Sequence, residues 1–160
     1  MNVMVLSGPE DTGRLGASLA RHLPDAPAVL FLEGDLGAGK TTTARAVLHA
    51  LGVEGAVRSP TYTLVESYDT AHGEVVHLDL YRISDPDELE YLALDDLAAR
   101  ARLWLVEWPQ RGLGMLPEPD LVLRLGIAGS ARKASTQAGS ARGKAWMDAV
   151  QRDWLALPVA

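Results

Sequence analysis

Apolar and polar residues recur in two distinct periods along this 160-residue chain. Residues 3–6, Val-Met-Val-Leu, predict a short edge strand, which Ser7-Gly8-Pro9 breaks. Leu15, Leu19 and Leu23 form one stripe of an amphipathic helix over Thr12 to Leu23, ended by Pro24. The run Ala28 to Glu33 has strand character, and Ala44, Val47, Leu48 and Leu51 then follow helical spacing up to a stop at Gly52. Behind Pro60, Thr61 onward is rich in β-formers; Asp69 to Gly73 has turn composition, and Glu74 to Arg82 reads as the return strand of an antiparallel hairpin. Alternation puts Val76, Leu78 and Leu80 on one face of that strand and His77, Asp79 and Tyr81 on the other.

The second half continues in the same manner. Asp85, Pro86 and Glu88 have the positions of a cap, a first-turn proline and a capping-box acid, so the acids of this segment are structural. Leu103-Trp-Leu-Val-Glu107 is a short apolar run ending in an acid, which predicts a buried strand of a parallel sheet. Leu121, Leu123, Leu125 and Ile127 alternate along a further strand. Residues 128–144 are small and polar and predict a mobile loop or a hairpin, while Trp146, Ala149, Val150 and Trp154 predict a terminal helix over 145–156 packed on the body. Gly-Ser-Ala-Arg at 129–132 and again at 139–142 is too short a repeat to build a solenoid. Length and pattern together give one α/β domain over residues 1–160.

Between the strand at Ala28 to Glu33 and the helix after it lies Gly34-Asp-Leu-Gly-Ala-Gly-Lys-Thr-Thr42, which fits the phosphate-loop spacing through Gly34, Gly39, Lys40 and Thr41. Glycines at 34, 37 and 39 let successive N–H groups turn inward around an anionic oxygen, and the helix beginning near Lys40 adds the positive end of its dipole. In such a loop Lys40 bridges the β- and γ-phosphates and the Thr41 hydroxyl is a magnesium ligand. Lys40 is the sole lysine of the first 132 residues in a chain with 12 Arg and three Lys. A compact ammonium fits inside a phosphate loop where a wide guanidinium fork does not. Strand ends carry the ligands in α/β folds, so Glu107 is the second acid aimed at the loop, in the Walker B role. Asp79 points either at the same site or at solvent, and Trp108 either covers the site or caps the core.

Composition narrows the function classes. No cysteine is present, and His22, His49, His72 and His77 lack ligand spacing, which argues against a structural zinc site. A net charge of −6 argues against autonomous nucleic-acid binding, although work on RNA through a partner stays open. No apolar run approaches the ~20 residues of a membrane span and the N-terminus lacks the basic start of a secretory signal, so the expected location is cytoplasmic.

Taken together the motifs resemble the TsaE family, also called YjeE, the small P-loop ATPases of bacterial tRNA threonylcarbamoyladenosine synthesis. The resemblance rests on Gly34 to Thr42, Ser59-Pro-Thr-Tyr-Thr-Leu-Val-Glu66, His77-Leu-Asp-Leu-Tyr-Arg82, Asp85-Pro-Asp-Glu-Leu-Glu90 and Val106-Glu-Trp-Pro109, in the family's order across roughly Thr12 to Asp120. It implies a P-loop NTPase fold, a three-layer sandwich with a mostly parallel central sheet plus an antiparallel hairpin. It further implies that Gly37, Ala38, Gly39, Lys40, Thr41 and Thr42 hold the phosphates of ATP or ADP, with Thr41 and Glu107 on Mg2+. Asp79 is then the acid that assists hydrolysis, so that Lys40, Asp79 and Glu107 form the catalytic set. Ser59 to Thr63 form a switch-like loop answering the γ-phosphate, Trp108 sits close to the nucleotide, and Thr12 and Arg132 make base-side contacts, with Arg142 as a second register for the latter. The implied partners are TsaB and TsaD, with tRNA reached only through that complex and the chain monomeric alone; ATP turnover resets the complex.

Three rivals remain at the level of sequence. A GTPase reads guanine with Asn/Thr-Lys-x-Asp, and this chain has its one Asn at position 2 and no Thr-Lys pair, which favours adenine. A small-molecule kinase needs a lid with arginines over the phosphoryl group, and Arg132 and Arg142 of 128–144 are candidates. A nucleotide-binding scaffold without hydrolysis is the third.

Overall fold

The computed structural model describes residues 2–156. A seven-stranded sheet runs in the order β1 (Asn2–Leu6), β7 (Ala131–Ala138), β6 (Leu121–Ala128), β2 (Ala28–Gly34), β5 (Ala101–Glu107), β4 (Gly73–Asp79) and β3 (Val65–Thr70). The central pairs β6/β2, β2/β5 and β5/β4 are parallel; β1/β7, β7/β6 and β4/β3 are antiparallel. Five strands therefore share one direction, and the sheet is mostly parallel with a hairpin at each side.

One face of the sheet carries helices α1 (Pro9–Arg21), α2 (Lys40–Ala50) and α4 (Ala141–Ala156), whose Leu15, Leu19, Val47, Leu48, Trp146 and Val150 pack on inward residues of the strands. On the other face a thinner layer, the 3₁₀ segment Pro86–Leu92 and α3 (Leu94–Arg100), sets Leu89 and Leu97 against Val76, Leu78, Trp104 and Val106. Each apolar stripe is thus buried by a layer of its own, the arrangement that makes three-layer α/β folds stable.

Local chemistry explains where the elements begin and end. Helix α1 starts three residues before the expected Thr12, because Pro9 occupies the first helical turn with Glu10 and Asp11 complementing the dipole. Strand β3 starts at Val65 and not at Thr61: Pro60 and Leu64 close a turn, with Leu64 N–H donating to the Pro60 carbonyl at 2.8 Å and Leu64 held at φ 67°. Strand β4 ends at Asp79, short of Arg82, since the Asp79 carboxylate accepts the Tyr81 N–H at 3.1 Å and turns the chain. Asp85 and Glu88 do form the expected capping box, on a 3₁₀ segment. The segment 128–144 divides between the β6/β7 turn, β7 itself and the start of α4, which begins at Ala141. Ile127 departs from the expected alternation: it is 57% exposed, at the tip of the β6/β7 hairpin.

Helices α1 and α2 meet through Gly16, where a Cβ would lie 2.3 Å from the Ala46 Cβ and 2.9 Å from Ala46 main chain. Only a hydrogen at that position permits the observed approach. Farther along α1, Asp153 of α4 accepts from Ser18 Oγ at 2.8 Å and Arg21 Nη1 at 2.7 Å, and it pairs with His22 Nε2 at 2.9 Å. These contacts, with the Ser18 hydrogen bond foremost, hold the Asp153 carboxyl below its usual range.

Candidate functional site

The loop between β2 and α2 lies at the carboxyl ends of the parallel strands, the ligand-binding edge of open α/β sheets. Gly34, Gly37 and Gly39 adopt φ of 149°, 80° and 109°, so the loop depends on residues without a Cβ. At Gly34 the demand is doubled, because a Cβ would fall 2.4 Å from the Leu125 carbonyl oxygen. Ala38 turns its side chain into the core and its N–H to the Asp35 carbonyl at 3.1 Å, so it contributes to the loop through its backbone.

Lys40 is 5% exposed, and its Nζ donates to the carbonyls of Gly34 at 2.7 Å and Asp35 at 2.8 Å. Burial pushes the Lys40 ammonium below the usual lysine value, while the negative charges of Glu107, Asp79 and Asp35 pull the other way. The Trp108 ring lies 4.5 Å from Nζ, in cation–π range. Trp108 reaches that position in a left-handed conformation, φ 56°, one of three positive-φ residues other than glycine among those described. Tyr81 packs beside it, ring centroids 5.1 Å apart, so two aromatic rings wall the site.

Two acids stand beside the glycine loop. Glu107, 2% exposed, accepts from Thr41 Oγ1 at 2.8 Å through one carboxylate oxygen and contacts His77 Nε2 at 2.6 Å through the other. Asp79, 6% exposed, accepts from the Ser59 hydroxyl as well as from Tyr81 N–H. Adjacent register on β4 and β5, Asp79 opposite Glu107, is what sets these two carboxylates side by side. Lys40, Thr41, Asp79, Glu107, Ser59 and Trp108 all border one cavity of about 400 Å³.

A second cavity of about 190 Å³ adjoins it and shares Gly37, Gly39 and Thr42 with the first. Its walls include Thr12 of α1 and Arg132 of β7. Arg132 Nε donates to the Gly37 carbonyl at 3.3 Å, which brings the guanidinium to the rim of the phosphate loop. Arg142 does not join it. Its Nη1 donates to the Pro27 carbonyl, beside the start of β2 and at the opposite end of the strands. The paired-arginine lid of the kinase reading and the alternative register at Arg142 therefore fail, because β7 carries the chain the full length of the sheet between the two arginines.

The donor set suits a small hard cation. Thr41 Oγ1 and Glu107 Oε1 are oxygen donors held together, and magnesium binds through one or two protein carboxylates with nucleotide phosphates and water completing its shell. Among the described residues no three His, Cys, Asp or Glu side chains gather into a metal cage. Several residues at the site escaped the sequence reading, Tyr81 and Leu36 among them. Tyr81 had a signal, its place two residues after Asp79 on the same face; Leu36, which borders the phosphate cavity, had only its membership of the loop. No described helix is long and apolar enough to cross a membrane.

Known proteins resemble this chain in sequence and in fold. The family model "Threonylcarbamoyl adenosine biosynthesis protein TsaE" matches residues 6–135. The Haemophilus influenzae tRNA threonylcarbamoyladenosine biosynthesis protein TsaE is 43% identical over 116 residues, 72% of this chain and 73% of the relative. The Bacillus subtilis protein of that name is 36% identical over 128 residues, 80% of this chain and 79% of the relative. The crystal structure of Bacillus subtilis YdiB superposes with a TM-score of 0.79 at 28% identity and covers 94% of both chains. A phosphate loop with its acids on β4 and β5, inside so extended a match, has one consistent reading: the chain belongs to the TsaE family of threonylcarbamoyladenosine biosynthesis proteins.

Proposed function

We propose that this protein is a cytoplasmic, magnesium-dependent ATP-binding protein and ATPase that supports threonylcarbamoyladenosine modification of tRNA together with TsaB and TsaD. The observation that carries the reading is the convergence of Lys40, the Thr41–Glu107 pair and Asp79 on one cavity at the carboxyl ends of the parallel strands. The glycine loop cradles the phosphates, and Lys40 exchanges its two carbonyl partners for β- and γ-phosphate oxygens. Thr41 and Glu107 hold magnesium, which supplies neutralisation of the charge that develops on the phosphates. Phosphoryl transfer asks for positioning and electrostatics more than for covalent chemistry, so a buried carboxylate fixed from two sides is well suited to orient water. Asp79 has that role, and the Ser59 hydroxyl that grips it belongs to the loop expected to answer the γ-phosphate.

At the base end Thr12 and Arg132 flank the adjoining cavity. One of the two groups that grip Asp79 is Ser59, in a loop whose following residues Tyr62 and Thr63 are exposed, so hydrolysis is slow for the chain alone and rises when partners press on that loop. Calorimetry with ADP, ATP and magnesium, followed by hydrolysis assays with and without TsaB and TsaD, tests the whole reading. Saturable binding, slow turnover alone and faster turnover with partners are expected. Brisk partner-independent phosphorylation of a metabolite would overturn it in favour of a kinase. A pull-down with TsaB and TsaD, with and without ATP, tests the assembly separately.

A further inference from the structure

His77 is fully buried, sits in the middle of the site's strand and has no role in the scheme above. Its Nε2 lies 2.6 Å from Glu107 Oε2, and an ionised carboxylate can only accept, so Nε2 carries the hydrogen of that contact. The other ring nitrogen, Nδ1, makes no hydrogen bond among the described residues. A buried polar atom without a partner costs about 1–3 kcal/mol, so an imidazole is a poor choice for filling this space and an apolar side chain would fill it at lower cost. The reason for a histidine here therefore lies in what Nε2 does to Glu107.

The geometry of Glu107 shows what that is. One carboxylate oxygen is tied to His77 and the other to Thr41 at 2.8 Å, so the plane of the carboxylate is fixed from both ends. Strand register places His77 opposite Leu105, two residues before Glu107 on the neighbouring strand, so the ring approaches from within the sheet face while Thr41 approaches from α2. We propose that His77 is a positioning residue for the cation: by holding Oε2 it keeps Oε1 turned toward Thr41, where the metal's two protein oxygens must converge. Hydrogen-bond partners behind metal ligands typically carry a 10–100-fold effect on metal affinity (order of magnitude). This inference rests on the reading of Glu107 as a magnesium ligand.

The test compares magnesium titrations of ATP-analogue binding with ADP binding in a chelator, in the full-length chain. For His77→Leu we expect the magnesium concentration at half-effect to rise about tenfold or more while ADP binding in chelator stays within about twofold. His77→Gln, which keeps an amide N–H at similar reach, restores the parent value. His77→Asn, polar but too short to reach Glu107, behaves as His77→Leu and serves if the leucine variant does not fold. Unchanged magnesium half-effect in His77→Leu or His77→Asn overturns the proposal, and so does a failure of His77→Gln to restore it, which would leave packing as the role. Glu107→Gln separates the two layers of the argument: if it leaves the magnesium dependence intact, the metal reading of Glu107 itself is wrong.

Discussion

The two ends of the cleft are built by different means. At the phosphate-loop end, buried ionisable side chains on three elements are each fixed by partners of their own: Lys40 on α2 by the Gly34 and Asp35 carbonyls, Asp79 on β4 by the Ser59 hydroxyl and Tyr81 N–H, and Glu107 on β5 by Thr41 and His77. At the base end the named side chains are a buried threonine of α1 and a half-exposed arginine of β7, whose partners are main-chain carbonyls. The first end gathers three buried charged groups, each with at least two hydrogen-bond partners, whereas the second offers one half-exposed charge at the rim of the loop. Affinity should therefore reside in the phosphates, with the base adding a smaller increment.

The largest expected effect tests the first half of that statement. Lys40→Ala should weaken ATP and ADP binding on the order of 100-fold or more, since it removes charge-assisted contacts to two phosphates. Calorimetric affinity equal to the parent's would remove the phosphate end from nucleotide binding altogether. Next, Asp79→Asn should slow partner-stimulated hydrolysis by about 100-fold while leaving the ATP dissociation constant within about twofold. A parallel loss of binding would mean that Asp79 holds the nucleotide and does not act on water. Arg132→Ala should reduce ATP affinity by only about 3–10-fold, the worth of one or two ordinary hydrogen bonds. If its effect matched that of Lys40→Ala, the contrast between the two ends would collapse.

Much of the phosphate end was legible because its chemistry is written in local sequence. A glycine loop needs glycines at set positions, and Gly34, Gly37 and Gly39 take positive φ for the reason the spacing implies. Glu107 could be placed because an acid ending an apolar run points to the carboxyl edge of a sheet. Asp79 needed the fold: nothing local distinguishes it from a solvated strand carboxylate until β4 is set beside β5 and Ser59 is folded over it. His77 was hidden for the same reason, as its partner lies thirty residues away on a neighbouring strand. The base end was harder still. Arg132 and Arg142 sit in near-identical Gly-Ser-Ala-Arg contexts, and only the length of β7 decides that the first reaches the loop and the second the far edge. Thr61 to Thr63 show propensity being overridden: strand-forming residues there form a turn because Pro60 and Leu64 close it.

The smallest expected effect lies outside the cleft and sharpens the contrast from behind. Asp153 ties α4 to the end of α1, the helix that carries Thr12. Its carboxyl is held below the usual range, so the stabilisation is fully present above the unfolded carboxyl value near 3.8 and is lost as pH falls through the lower folded value. Asp153→Asn should therefore cost about 1 kcal/mol in denaturant unfolding at pH 7, the exposed Arg21 contact adding little. The gap between variant and parent should close as the pH is lowered below 3.8, and at pH 7 the two should bind nucleotide equally. A large change in affinity would show that the base end depends on the α1–α4 clasp.

Gly16 gives the two ends a common frame. With no side chain at position 16, α1 and α2 meet closely there, so the packing of the helix bearing Thr12 is tied to that of the helix that starts at Lys40. The cleft is then a calliper whose gap this contact sets: on the nucleotide-binding reading proposed above, phosphates seated against α2 would find the reach to α1 already set. On that reading a nucleotide would be gauged by its span from phosphate to base as much as by hydrogen bonds to the base. A side chain at position 16 would press on Ala46 of α2 and open the calliper without altering Thr12 or Lys40.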